Sequence, residues 1–388
     1  MPGTEFLATE LDRFARQGRL RSLRTVVGTQ GRKLVIDGRE VVNFSSNNYL
    51  GLADDPALRE AVSEAVKEHG VGAGASRLIS GNHDLHIELE KSLAGLHEAE
   101  AALLFNSGYQ ANLGAITSVV DRGDLVFSDE LNHASIIDGC RLSRAKVVVY
   151  RHRDVADLEA RLNTTEGRRK LIVSDSVFSM DGDLAPWPEL SELATRHDAM
   201  LMVDEAHALG VVGAGGLATK LGVQPDITVA TLGKAAGGFG AYVAGSTMLR
   251  TYLLNVARSF IFTTAPMLPN VAASLAAVRL LTNQTGNERR EALYERIDQL
   301  RAILVDLELL APGSGTTAIF PIVIGDNQKA MHCSARLWDQ GLYVQGIRPP
   351  TVAPNTSRLR VALMATHTRE DIAHLGDALA QLRKEGLL

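Results

Sequence analysis

The sequence predicts an α/β protein: a large domain built on a mostly parallel sheet, followed by a smaller C-terminal α+β domain. Two observations carry this expectation. Six short apolar runs, Ala101–Phe105, Leu125–Ser128, Lys146–Tyr150, Leu171–Ser174, Met200–Val203 and Ile227–Thr231, lack the polar alternation of a half-exposed strand, and helical stretches separate most of them. Strands of that kind are buried on both faces, as in a parallel sheet covered by helices. After about residue 280 the character changes to a long charged helix, Asn287–Leu307, then strands near Ile319–Ile324 and Tyr343–Ile347 and a final helix over 369–385. The expected organisation is an N-terminal helix and hairpin segment over 1–45, the large domain over 46–280 and the small domain over 281–388.

Each remaining element has a local reason. Residues 4–20 form an amphipathic pattern, with Phe6, Leu7, Leu11, Phe14 and Ala15 on one side. Lys33–Phe44 reads as a hairpin turning at Asp37-Gly38, a pair suited to the positive φ angles of a tight turn. Helices are expected over 56–69 and 84–97, the first with Asp55 before it and Pro56 in its first turn. Further helices over 109–120, 154–162 and 188–197 separate the strands.

Composition narrows the function. At 388 residues, 45% apolar and 22% charged, the chain can bury a large core. A net charge of −5 argues against a nucleic-acid footprint, which needs a basic excess. Cys140 and Cys333 are the only cysteines and form no Cys-x-x-Cys pattern, which excludes a disulfide framework and a thiolate zinc site. The charged N-terminus has no signal core, and no apolar run reaches the roughly 20 residues that span a bilayer. The expectation is a cytoplasmic protein with neither nucleic-acid nor membrane partners. His83, His86 and Glu90 share a helix face but read as solvated surface rather than as zinc ligands, and no metal is expected.

Chemistry concentrates at strand ends, where an open parallel sheet binds its ligands. The strand Met200–Val203 delivers Asp204 and His207, and 30 residues after Asp204 a lone lysine, Lys234, sits in a Gly-flanked loop. Pyridoxal 5'-phosphate (PLP) chemistry needs this set: an amine for a Schiff base and a carboxylate to keep the pyridinium nitrogen protonated. By itself the pair is also compatible with a buried strand end and a surface lysine. Ser107-Gly108-Tyr109 joins a strand to a helix and leaves backbone N–H groups for a phosphate, or is an ordinary capped turn. His133 either stacks on a ring or caps a helix, and Ser179 brings a hydroxyl from the loop after the next strand. Five neighbouring strand ends, each with a polar group, are hard to explain as punctuation alone.

From about Asn43 to the final helix, the chain resembles the α-oxoamine synthases of PLP-dependent fold type I, which condense an amino acid with an acyl-CoA thioester and release CO2. The resemblance rests on Asn43-Phe-Ser-Ser-Asn-Asn-Tyr-Leu-Gly-Leu52, Ser107-Gly-Tyr109, Asn132-His-Ala-Ser135, Val177-Phe-Ser-Met-Asp-Gly182, Val203-Asp-Glu-Ala-His207 and Thr231-Leu-Gly-Lys234. It implies that Lys234 holds PLP and removes the α-proton, that Asp204 pairs with the pyridinium nitrogen, that His133 stacks on the ring and that His207 and Ser179 address the ring oxygen. Ser107, Gly108, Tyr109 and Thr231 would fix the phosphate and cofactor, and a Thr263-Thr264 pair would complete that site across a homodimer. Arg360, helped by Asn47, would clamp the substrate carboxylate, and Arg21 and Thr351 would contact substrate, although Arg21 alone reads as a solvated arginine. Ile347-Arg-Pro-Pro-Thr-Val352 with Ser357-Arg-Leu-Arg360 most resembles the branch that joins glycine to a pimeloyl thioester, on CoA or a carrier protein. Sister branches make 2-amino-3-oxobutyrate, 5-aminolevulinate or 3-oxosphinganine.

The chain departs from the family pattern at Asn48, where aspartate is usual, at Ala75, in the Gly215-Gly216-Leu217 stretch, and at Ala353-Pro-Asn-Thr356, where Asn355 replaces a glycine and is expected to tolerate a left-handed backbone. These put the acyl preference in question and leave the reaction type intact. A rival from another class is a Walker-type NTPase, because Asp204-Glu205-Ala206-His207 imitates a Walker-B box. Gly233-Lys234-Ala235, however, lacks the magnesium-binding hydroxyl of a phosphate loop. A non-catalytic scaffold of the same fold would not need Lys234, Asp204 and His133 together.

Overall fold

The computed structural model describes residues 2–310 and 314–388. The chain divides into two compact units: Leu50–Ser179 with Asp183–Arg290, and residues up to Tyr49 with Met180–Gly182 and Glu291–Leu388.

The first unit contains a seven-stranded sheet in the order Ala101–Phe105, Ala241–Gly245, Ile227–Thr231, Met200–Asp204, Lys170–Asp175, Leu125–Asp129, Lys146–Tyr150. The last five strands pair in parallel, so the α/β class expected from the sequence is the one that forms. Ala241–Gly245 runs antiparallel to both neighbours and was not anticipated. It follows a loop with glycines at 237, 238 and 240, and its five residues, Ala-Tyr-Val-Ala-Gly, carry no alternation of charged or strongly polar side chains. Leu103, Val126, Val173, Met202, Val229 and Val243 meet in one core with Ala115, Ile116 and Ile136 from the covering helices. Helix Leu268–Thr282 also escaped the pattern, because nine of its residues are buried and it has no polar face to create a helical period. Helix Pro56–His69 forms as expected, with the Asp55 side chain accepting from Ala57 N at 3.0 Å.

His86 and Glu90 correct the surface expectation made for them: both are buried. The Glu90 carboxylate accepts from Arg77 Nη1 at 2.9 Å, Arg250 Nη2 at 3.0 Å and Leu104 N at 3.0 Å. His86 Nε2 lies 3.0 Å from the Pro266 carbonyl. Arg250 and Pro266 lie 160 and 180 residues away from their partners, beyond the reach of a helix-face argument.

In the second unit the expected hairpin forms between Lys33–Ile36 and Arg39–Asn43, with Asp37 at φ 51° and Gly38 at φ 81°. Its strands join Val26–Val27 and Leu342–Tyr343 in one sheet, while Ile319–Gly325, Ser357–Ala362 and Gln345–Ile347 make another. Asn355 adopts φ 63°, the left-handed conformation expected of it. Asn48 is buried, its amide donating to Gln30 O at 3.4 Å. The N-terminal helix is shorter than expected, Glu5–Arg16, with no buried residue, and Gly18 at φ 63° turns the chain so that Arg19–Arg21 lie beyond it. No helix among the described residues is long and apolar enough to cross a membrane.

Removing Glu90 leaves the Arg77 guanidinium buried without its carboxylate and frees Arg250 and Leu104 N together. Glu90→Ala is expected to lower unfolding stability by about 3–5 kcal/mol, the usual cost of breaking a buried ion pair from one side. Urea denaturation of variant and wild type checks this, and a change under about 1 kcal/mol would contradict the network's role.

Candidate active site

Five strand ends of the seven-stranded sheet supply one cavity of about 190 Å³, lined by Gly108, Tyr109, Asn112, His133, Ser135, Asp175, Asp204, Ala206, His207, Thr231 and Lys234. Lys234 is carried by the turn after Ile227–Thr231. Gly237 N donates to Lys234 O at 2.9 Å and Gly238 N to Leu232 O at 2.9 Å, which closes that turn. Gly237 has φ 69°, and a Cβ there would sit 2.5 Å from Ala53 N, so the position requires glycine. Lys234 Nζ lies 2.8 Å from Nε2 of the buried His207. The next element after Lys234 is the strand Ala241–Gly245 rather than a helix, so the phosphate-loop arrangement of the NTPase reading does not form.

Asp204 is buried at its strand end. Its Oδ1 accepts from Ala206 N at 2.8 Å and its Oδ2 from Asn112 Nδ2 at 2.7 Å. Register places Asp175 directly beside it on the neighbouring strand. Burial, reinforced by the Asp204 charge, holds the Asp175 carboxyl well above the usual carboxylate range, while the His133 N–H at 2.7 Å opposes this. His133 caps helix Ala134–Ser143 through Nδ1, which accepts from Ser135 N at 3.2 Å, and it also lines the cavity. For His133 the capping reading is the one that the contacts show, and the cavity position leaves the ring face open to a ligand. Its imidazole is lowered from its ordinary value by burial and by Lys234, against the pull of Asp204.

Ser107 likewise caps a helix, Gly108–Val119, accepting from Gln110 N at 3.3 Å, so Gly108 and Tyr109 sit at that helix's N-terminus. Tyr109 donates its hydroxyl to Asp138 Oδ2 at 2.6 Å. Thr231 Oγ1 accepts from Gly233 N at 3.2 Å and donates to Gly240 O at 3.0 Å. Ser107 and Ser179 do not line the cavity, and neither do Thr263 and Thr264, which hold the Asn106 amide through Thr263 Oγ1 at 3.0 Å and the Thr264 carbonyl at 2.8 Å. Asn112, Ser135 and Asp175 were given no role from the sequence. Only the distances assign them one.

In the other unit, Arg360 is buried, its Nη2 donating to Asn47 Oδ1 at 3.2 Å and reaching Tyr49 Oη at 3.3 Å. Tyr49, not foreseen, donates to Asn47 Oδ1 at 3.0 Å, and burial raises its phenol despite Arg360. Arg21 and Thr351 come together in a second cavity of about 630 Å³ with Arg24, Trp338 and Arg348. Burial, and then the Arg21 charge, lowers the Arg348 guanidinium.

The strand ends around this cavity are braced by His152. Its Nδ1 meets Asp129 Oδ1 at 2.9 Å, its Nε2 meets Asp183 Oδ2 at 2.7 Å, and Phe178 packs edge-on against the ring.

A profile of the family described as aminotransferase class I and II matches residues 39–379. An 8-amino-7-oxononanoate synthase of Geobacter sulfurreducens is 49% identical over 98% of this chain and 99% of its own length. One from Lysinibacillus sphaericus is 44% identical over 97% of each. A solved serine palmitoyltransferase of Sphingomonas wittichii superposes with a TM-score of 0.92 at 30% identity, covering 100% of this chain and 98% of that one. A structure described as SPT with a PLP internal aldimine gives the same score and identity, with 100% and 99% covered.

Burial alone would lower His152, but its bonds to Asp129 and Asp183 overcome this and raise it to about 9. A folded pKa above the unfolded 6.5 means that the stabilisation is complete below about pH 6.5 and is lost as pH rises through 9. Wild type should lose on the order of 2–3 kcal/mol of stability across that window, and His152→Gln should not. Denaturant unfolding at several pH values from 6 to 10 makes the comparison, and parallel profiles would refute it.

Proposed function

The chain belongs to the aminotransferase class I and II family, and we propose that it uses PLP to condense glycine with pimeloyl-CoA. The products are 8-amino-7-oxononanoate, CoA and CO2, and the reaction begins biotin ring assembly. The observation that carries this reading is the convergence of Lys234, His207 and Asp204 in one small cavity, with Lys234 Nζ 2.8 Å from His207 Nε2. Near-full-length relatives named 8-amino-7-oxononanoate synthase support the acyl acceptor and donor.

The residues present fit the cofactor. Lys234 offers the amine, Asp204 the carboxylate for a ring nitrogen, and the helix beginning at Gly108 offers backbone N–H groups to a phosphate. When bound, PLP supplies the electron sink that takes up the bonding pair left at the glycine α-carbon. Lys234 would anchor the cofactor, and its Nζ, when not so engaged, would take the α-proton. His207, in hydrogen-bond range of Nζ, steadies it and shares the proton. Asp204 would pair with the ring nitrogen, while His133 would pack against the ring face. Ser179 and Thr231 serve the cofactor's polar edge. Arg360, with Asn47, binds the glycine carboxylate, because a guanidinium offers two parallel donors to it. Arg21 and Thr351 take the acyl thioester, and the arginines around their cavity suit a chain that ends in a carboxylate. The active unit is a homodimer in which Thr263-Thr264 of each chain completes the phosphate site of the other. A carrier-protein thioester is the alternative donor. Serine with palmitoyl-CoA is the alternative pair, because solved serine palmitoyltransferases share this fold.

The test of the cofactor assignment is chemical. Purified protein given PLP should be yellow, and borohydride followed by peptide mapping should put the pyridoxyl group on Lys234. Lys234→Ala should bind PLP reversibly and have no turnover, whereas an adduct on another lysine would defeat the assignment.

The substrates are tested by product mass from a panel of thioesters with glycine and with serine, in which pimeloyl-CoA with glycine should be best. Arg360→Leu should raise the glycine KM roughly thirtyfold or more, since truncating a buried charge-assisted pair costs about 2–5 kcal/mol. A better rate with acetyl-, succinyl- or palmitoyl-CoA would move the chain to a sister reaction.

A further inference from the structure

Asn112 is almost wholly buried and divides its amide hydrogens between two acceptors. Nδ2 lies 2.7 Å from Asp204 Oδ2 and 2.9 Å from Ser135 Oγ. Ser135 Oγ in turn lies 2.7 Å from His133 Nδ1. These contacts allow one consistent assignment of hydrogens. Nδ2 is the amide atom that faces Asp204 Oδ2, so one N–H is given to that oxygen and the second points at Ser135 Oγ. Ser135 accepts there and has its own O–H left to give, and the acceptor within reach is His133 Nδ1. The Ser135 backbone N–H, 3.2 Å from the same nitrogen, points the same way. The His133 proton therefore belongs on Nε2. Asn112 Oδ1, by contrast, is buried with no hydrogen-bond partner among the described residues. An asparagine kept only for packing would be better replaced by an apolar side chain, so the unmet oxygen is a sign that the NH2 group is what the site requires.

We propose that Asn112 is a positioning residue whose two amide hydrogens lock the carboxylate of Asp204 and, through Ser135, set the tautomer of His133, so that both faces of cofactor recognition are fixed by one side chain. The lock holds the Asp204 carboxylate by two neutral donors, Ala206 N and Asn112. The groups facing His133 from the surrounding elements are Asp175, Asp204 and Lys234, and none of them reaches Nδ1 within hydrogen-bond distance in the way Ser135 does.

The proposal rests on the cavity being the PLP site, and the test separates the two. In protein labelled with ¹⁵N-histidine and free of PLP, His133 should give the shifts of a neutral ring protonated at Nε2. Ser135→Ala removes the hydroxyl but keeps the backbone N–H at Nδ1, so it should raise the Nδ1–H fraction without abolishing the Nε2–H form. An Nδ1–H ring in the wild type would overturn the proposal whatever the ligand. With PLP, Asn112→Ala should weaken equilibrium PLP binding roughly ten- to a hundredfold, the worth of a hydrogen bond to a charged group. It should also shift the pH at which the bound cofactor's visible band titrates. A folded Asn112→Ala protein with both quantities unchanged would equally overturn it. Should that variant fail to fold, the wild-type ¹⁵N shifts decide alone. Failure of the wild type to bind PLP at all would instead count against the functional reading.

Discussion

The parallel register of two strands sets the terms for the site. Lys170–Asp175 and Met200–Asp204 end level with each other, so two buried carboxylates stand side by side. Like charges in a dry environment cannot both be left bare, and the pair must be separated by proton or by partner. Asp175 is the one whose carboxyl is pushed upward, and its oxygen is met by the His133 backbone N–H. Asp204 is met by Ala206 N and Asn112. Both solutions require helix starts at the right heights: Ala134–Ser143 to aim the His133 N–H, and Gly108–Val119 to carry Asn112 inward. The helix caps made by Ser107 and His133 follow from that requirement, which is why residues of these types occupy those positions.

The neighbour of Asp204 makes the same point from the opposite side. Glu205 is fully buried and accepts from Leu217 N at 3.0 Å and Ala218 N at 2.7 Å, and burial raises it to about 7. Gly216, at φ 96°, lies so close that a Cβ would stand 2.5 Å from Glu205 Oε2. Two consecutive acids therefore part company: one faces the cavity, and the other pins the short helix Leu217–Lys220. The Gly215-Gly216-Leu217 stretch, a departure from the family pattern in the sequence, has a local cause in this contact.

Much of this architecture was legible in the sequence, because each of the six strands expected in the large sheet is an apolar run that stops at or just before a polar residue, and each stop lies at the same end of the sheet. Lys234, His207, Asp204, His133, Gly108, Tyr109 and Thr231 were singled out on that basis or by resemblance, and they line one cavity. Illegible was whatever depended on contacts distant in the chain. Asn112 and Asp204 are 92 residues apart, and Tyr49 and Arg360 are 311. The buried Glu90 was misjudged for the same reason: a charged helix face reads as solvated until its partners, here Arg77, Arg250 and Leu104 N, are known. The strand Ala241–Gly245 and helix Leu268–Thr282 were missed for a different reason. Elements that are mostly buried carry little periodic contrast between apolar and polar residues, and periodicity is the main signal that a sequence offers.

The same reasoning separates chemistry from selectivity within the molecule. The cavity around Lys234 is built from backbone-anchored elements: strand ends, helix caps and a glycine-closed turn, each held by main-chain hydrogen bonds. The cavity of Arg21, Arg24, Arg348 and Thr351 is built from side chains. Arg24 stacks on Trp338 at 4.1 Å and pairs with Asp37 at 3.8 Å, and Arg348 donates to Leu20 O at 2.7 Å while its Nε stays buried without a partner among the described residues. A wall made of long side chains can be altered by one substitution without disturbing a strand, whereas moving Asp204 or Lys234 means moving the sheet. On the proposed roles, reaction type should accordingly be harder to change by point mutation than the choice of acyl chain, because main-chain geometry would fix the first and arginine side chains the second, part of whose cost is a desolvated guanidinium.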